Sequence, residues 1–138
     1  MKIFLDANVL VAILNKEYPV FPYAARILSL ADQPKYTFYT SPVCLAIAFY
    51  FAEKKTSSAV AKSKIKILLE HIQIAENLKN AILKTLENKK INDFEDGLEY
   101  YAAIENSCDC IITENLPDFY FSSIEVLDCK AFANKYFK

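Results

Sequence analysis

Histidine is almost missing from this chain of 138 residues, and His71 is the only one. A His-based zinc site or a Ser-His-Asp triad has little to work with here, so His71 reads as structural. Glycine is as scarce. Gly97, the only one, falls inside a helical pattern, where glycine costs about 1 kcal/mol relative to alanine. Such a residue marks a place where something approaches the backbone closely. No apolar run nears the roughly 18 residues of a membrane span, so no membrane association is expected. The N-terminus lacks the basic region, long apolar stretch and small-residue cleavage site of a signal peptide, and the expectation is a cytoplasmic protein. Cys-x-x-Cys spacing is also absent. Cys108 and Cys110 are two apart and share one face of a strand, and all four cysteines (44, 108, 110, 129) read as reduced core residues. No linker, internal repeat or low-complexity segment interrupts the chain, which reads as a single domain over residues 1–138.

Positive charge is missing from one long stretch. Between Ile91 and Cys129 there is no Lys, Arg or His, yet there are ten acids: Asp93, Glu95, Asp96, Glu99, Glu105, Asp109, Glu114, Asp118, Glu125 and Asp128. Nine lysines crowd the segment before it, from Lys54 to Lys90, against Glu70, Glu76 and Glu87. Solvated helix faces normally mix both signs, so a one-signed stretch suggests that cations from outside the chain supply the balance. The net charge of −1 gives the molecule as a whole no general attraction to polyanions.

Apolar residues make up 54% of the chain and charged residues 24%, the balance of a globular protein. Residues 2–5 form a short apolar run suited to a buried parallel strand, and Asp6 or Asn8 starts a helix running to Leu14. Pro19 and Pro22 mark a loop before a helix over 23–31. Residues 36–40 read as a strand, and Ser41 and Pro42 open a nearly buried helix through Ala52. Helices follow over 62–69, 76–88, 92–106 and 130–136, with strands over 72–75, 110–113 and 124–127. Strands separated by helices imply a three-layer α/β/α arrangement, a parallel sheet of about four to five strands with helices on both faces.

Parallel sheets bind ligands in the crevice outside the carboxyl ends of their strands. Asp6 follows the first strand, and Thr113-Glu114-Asn115-Leu116-Pro117-Asp118 follows the strand over 110–113 in the same way. Asp96 and Glu99, three apart on one helix face, form the third contribution. Capping boxes of Asn92 with Glu95, or Asp93 with Asp96, explain two of the acids at that helix start but not four. Carboxylates without histidine or soft ligands favour Mg²⁺ or Mn²⁺, ions that support phosphodiester hydrolysis. The lysine-rich middle segment would then serve as a rail for a substrate backbone. The aromatic clusters 49–51 and 119–121 read mainly as core, with base stacking or subunit pairing as alternatives.

Leu5-Asp6-Ala7-Asn8-Val9-Leu10, Asp93-x-x-Asp96 running into Tyr101-Ala102-Ala103, Ile111-Ile112-Thr113-Glu114-Asn115 with Asp118-Phe119, and the closing Ile124-Glu125-Val126-Leu127 together resemble the PIN-domain family in order and spacing. The resemblance implies a helix-sandwiched parallel sheet and a cluster of acids that binds Mg²⁺ or Mn²⁺ to cleave RNA. It also implies a homodimer and, as in many small bacterial members, the toxin half of a toxin-antitoxin pair with an antitoxin-like protein partner. Asp6 matches the family's first acid and Asp96 its third. The second falls at Ile47, which cannot bind a metal, and the fourth at Asn115, with Asp118 nearby. The expected metal set is therefore Asp6, Asp96, Asp118 and Asn115, the three aspartates being catalytic, with Asn8, Thr113, Glu95 and Glu99 in support. The alternative is a catalytically weakened domain that binds RNA or protein, including one whose acidic edge docks a basic peptide.

Overall fold

The computed structural model describes residues 1–137, so Lys138, the last residue of the expected domain, lies outside the described residues. Five strands and seven helices occur among the described residues: β1 (Lys2–Leu5), α1 (Ala7–Leu14), α2 (Phe21–Ser29), β2 (Thr37–Thr40), α3 (Pro42–Lys55), α4 (Ser58–Leu68), β3 (Gln73–Ile74), α5 (Lys79–Glu87), α6 (Phe94–Glu105), β4 (Cys110–Ile112), β5 (Glu125–Leu127) and α7 (Cys129–Tyr136). Single 3-10 turns cover Leu30–Asp32 and Leu116–Phe119. The sheet is parallel throughout, in the order β3-β2-β1-β4-β5, with helices on both faces.

Burial explains the order. Ile3, Phe4 and Leu5 of β1 and Cys110, Ile111 and Ile112 of β4 are all fully buried, as strands covered on both faces must be. They occupy the middle of the sheet, while the more exposed β3 and β5 form its edges. From β1 the chain moves to β2 on one side and later returns to β4 on the other. The switch in direction opens a crevice between β1 and β4, where open α/β sheets place ligands. All four cysteines are buried free thiols. No helix among the described residues is long and apolar enough to cross a membrane.

Several expected boundaries move. α2 begins at Phe21, with Pro22 inside its first turn, because a missing N–H costs nothing there. α4 begins at Ser58 rather than Lys62, since Ser57 accepts a hydrogen bond from the Val60 amide and caps it. α3 is longer than expected and not nearly buried. Only Cys44, Ala48 and Ala52 are fully inside, and Tyr50 and Phe51 face outward.

Candidate active site

Asp6 ends β1 and caps α1. Its Oδ1 accepts the Ala7 amide at 2.6 Å, while Oδ2 accepts the Thr113 hydroxyl at 2.7 Å and the Asn8 amide at 3.3 Å. One oxygen of the carboxylate thus caps α1 and the other ties it to Thr113 and Asn8. The Asp6 amide bonds the Ile112 carbonyl, so the ends of β1 and β4 are joined at this point. Thr113 is fully buried. Its oxygen receives the Asn115 amide at 3.1 Å and the Asn8 side chain at 3.2 Å, and Asn8 Oδ1 in turn accepts the Glu114 amide at 3.0 Å. Asn115 donates to Asp118 at 2.7 Å and so holds that carboxylate in place.

α6 brings the remaining acids. Asp93 accepts the Asp96 amide at 3.1 Å and caps the helix, which leaves Glu95, Asp96 and Glu99 unspent on capping. Glu95, Asp96 and Glu99 line one cleft of about 360 Å³ together with Asp6, Asn8 and Asp118. Thr113 stands behind Asp6, and neither it nor Asn115 is on the cleft wall. Partial burial, followed by the charges of Asp93, Asp118, Asp6 and Glu95, pushes the Asp96 carboxyl up to about 7. Burial and then the contact with Asp6 push Glu99 up to about 11. Glu95 and Asp118 are raised too, by desolvation and then by their acidic neighbours. Crowded carboxylates with raised proton affinity are short of positive charge.

The ten acids between Ile91 and Cys129 separate into two groups. Six serve caps, backbone amides or ion pairs away from the cleft. Asp93 and Asp128 cap helices, Asp109 accepts the Lys2 amide, Glu114 accepts the Cys129 amide, Glu105 faces Lys84 at 3.7 Å, and Glu125 pairs with Lys135. The other four, Glu95, Asp96, Glu99 and Asp118, line the cleft. A further acid that sequence reasoning missed, Glu17, lines it from the turn after α1. No periodicity or motif marks it, because its place at the cleft follows a turn in which Lys16 adopts a left-handed φ of 52°. The cleft wall thus carries six carboxylates and no Lys, Arg or His. Oxygen donors of one sign without histidine fit a hard divalent cation such as Mg²⁺ or Mn²⁺.

Two expectations about this region change. Gly97 is not a point of ligand approach: a Cβ there would lie 2.4 Å from Thr85 Cγ2 and 2.9 Å from Ile91 Cγ2, so the close neighbour is α5 and the loop after it. The lysine segment is partly structural as well. Lys55 donates to the Asn15 carbonyl at 2.7 Å and Lys64 to the Leu14 carbonyl at 2.8 Å, placing two ammonium groups on the C-terminal end of α1. Of the aromatic clusters, Phe119 is core, while Tyr50, Phe51 and Tyr120 are exposed and Phe51 borders the cleft.

A parallel α/β/α domain with an acidic cleft at its topological switch point has the architecture in which open sheets place their ligand sites. The chain belongs to the PIN-domain family, whose model matches residues 2–116. The fold is similar to that of VapBC2 from Rickettsia felis bound to a DNA fragment from their promoter (TM-score 0.68, 23% identity, covering 93% of this chain and 98% of that one). It is also similar to VapBC-1 from nontypeable Haemophilus influenzae (0.69, 18%, 94% and 99%). A third similar structure is VapC20 of Mycobacterium tuberculosis, a Sarcin-Ricin loop cleaving toxin (0.62, 14%, 79% and 86%). No curated protein sequence matches the chain.

Proposed function

We propose that this chain is a Mg²⁺- or Mn²⁺-dependent endoribonuclease of PIN-domain type and the toxin of a toxin-antitoxin pair. The observation that carries the reading is the cleft wall of six carboxylates without a cation, at the sheet edge where Asp6 and Thr113 meet. Asp6, Asp96 and Asp118 would hold the ion, and Asn115 holds Asp118 through its side-chain amide. Bound there, the ion would supply positive charge to a phosphodiester during hydrolysis. Asn8 and Thr113 fix the orientation of the Asp6 carboxylate through its Oδ2, and Glu95 extends the acidic rim. Membership of the family and the likeness to VapC20, a toxin that cleaves the Sarcin-Ricin loop, support an RNA substrate. The likeness to VapBC1-type and VapBC2-type assemblies supports an antitoxin partner, and the reading includes a homodimer in the cytoplasm.

One observation favours a second reading, a weakened domain that binds RNA or a basic peptide. Ile47 lines the cleft where the family resemblance calls for an acid. An RNA cleavage assay separates the two. The nuclease reading expects cleavage that stops with EDTA, returns with Mn²⁺ and falls at least 100-fold in Asp96→Asn, the order of loss for a group that stabilises developing charge. Equal cleavage by wild type and Asp96→Asn sinks the assigned site, and RNA binding without cleavage favours the weakened domain.

A further inference from the structure

α3 carries Ile47 where a carboxylate would complete the acidic set, yet the cleft does not lack one at that wall. Glu99 lines the same cleft from α6, one turn beyond Asp96, and is 1% exposed. We propose that Glu99 supplies from α6 the carboxylate that α3 lacks at Ile47, and that the Cys44 thiol of α3 is the positioning residue that directs it toward Asp6. This rests on the cation-dependent reading above.

The geometry is specific. Glu99 Oε1 accepts the Cys44 thiol at 2.6 Å, across the α3–α6 contact. An Asp6 oxygen, a Glu99 oxygen and the Cys44 sulfur all lie within 4.8 Å of one another, and all three residues are buried. Cys44 is itself held by the helix start, because its amide donates to the Ser41 hydroxyl at 3.2 Å while Ser41 caps α3. Its sulfur therefore has little freedom to move. A carboxyl with no solvent contact is costly to keep unless its oxygens are engaged, and here one oxygen meets a thiol while the group faces Asp6. Core packing alone would be served by an apolar side chain of similar volume, such as the isoleucine that stands across the cleft. Thiols are soft ligands and poor partners for Mg²⁺ or Mn²⁺, so the sulfur acts through Glu99 as a hydrogen-bond donor and is not a ligand itself.

Calorimetric titration of the full chain with Mn²⁺ tests this, with Asp96→Asn as the reference variant and thermal unfolding in EDTA as the control for folding. Glu99→Gln keeps the shape and can accept the same thiol hydrogen bond. It is expected to bind Mn²⁺ about 10- to 100-fold more weakly than wild type, with its unfolding temperature in EDTA no lower than that of wild type. Ile47→Glu added to Glu99→Gln is expected to restore binding. Cys44→Ala is expected to weaken Mn²⁺ binding several-fold and Cys44→Ser, which keeps a donor, to recover it. Mn²⁺ affinity unchanged in Glu99→Gln but lost in Asp96→Asn overturns the role of Glu99 and leaves the cation site standing. No Mn²⁺ binding by wild type, or equal affinity in Asp96→Asn, overturns both.

Discussion

Asp96 and Glu99 hold protons in the fold that the unfolded chain would release. Their carboxyls are pushed up to about 7 and about 11 from ordinary values of 3.8 and 4.5, in each case by burial first and acidic neighbours second. Above the unfolded pKa the folded protein binds more protons than the unfolded chain, so stability falls as pH rises. In EDTA, the unfolding temperature is expected to decline between about pH 4 and 7 through both residues, and further above pH 7 through Glu99. Asp96→Asn should flatten the first part of that decline, and Asp96→Asn with Glu99→Gln should remove most of the remainder. A profile unchanged in both variants would mean that these carboxyls are not the protonated groups. Asp6 shows why such roles are hard to read from a residue type. The choice between helix cap and ligand was open in the sequence, and in the fold one oxygen caps α1 while the other, turned to Thr113, belongs to a carboxylate on the cleft wall.

At the scale of elements, α5 and the loop after it pack closely against the first turns of α6, the helix that carries Glu95, Asp96 and Glu99. Gly97 lets Thr85 and Ile91 pack directly against the α6 backbone, and Thr85 is pinned by donating to the Ala81 carbonyl at 3.0 Å. Gly97→Ala would place a methyl 2.4 Å from Thr85 Cγ2, and overpacking of this kind costs about 1–3 kcal/mol. That exceeds the gain of up to about 1 kcal/mol from replacing a helical glycine. The expected outcome is a lower denaturation midpoint for Gly97→Ala, partly rescued by Thr85→Ser, which removes the clashing methyl and keeps the hydroxyl. A midpoint at or above wild type would place the reason for the glycine elsewhere. The helical period of the flanking apolar residues revealed that Gly97 sits in a helix. What approaches it was not legible, because Thr85 and Ile91 come from a separate element and only tertiary packing brings them there. The same reason hid the Lys55 and Lys64 contacts with the end of α1: in sequence they look like a solvated charge run.

Across the whole molecule, the parallel sheet with helices on both faces was readable, though not the order of its strands. Two apolar runs, 3–5 and 110–112, have the continuous burial that parallel central strands require, and the polar residues immediately after each one meet across the switch point. The sign of the 91–129 segment pointed to an external cation, and the fold narrows that inference to four of its ten acids together with Asp6 and Glu17. Glu17 could not be anticipated, since its position depends on a backbone turn rather than on any pattern of residue types. The remaining six acids serve caps, backbone amides and ion pairs, which are local demands that a count of charge cannot separate from ligation.

The central claim is that this cleft holds a divalent cation through carboxylates that include Asp6. Calorimetric titration of Mn²⁺ into wild type and Asp6→Asn, each after removal of metal with EDTA and dialysis, tests it most directly. Saturable Mn²⁺ binding by wild type with release of protons is expected, with affinity reduced at least 10-fold in a folded Asp6→Asn. Absence of binding in both proteins, or equal affinity in the two, would contradict it.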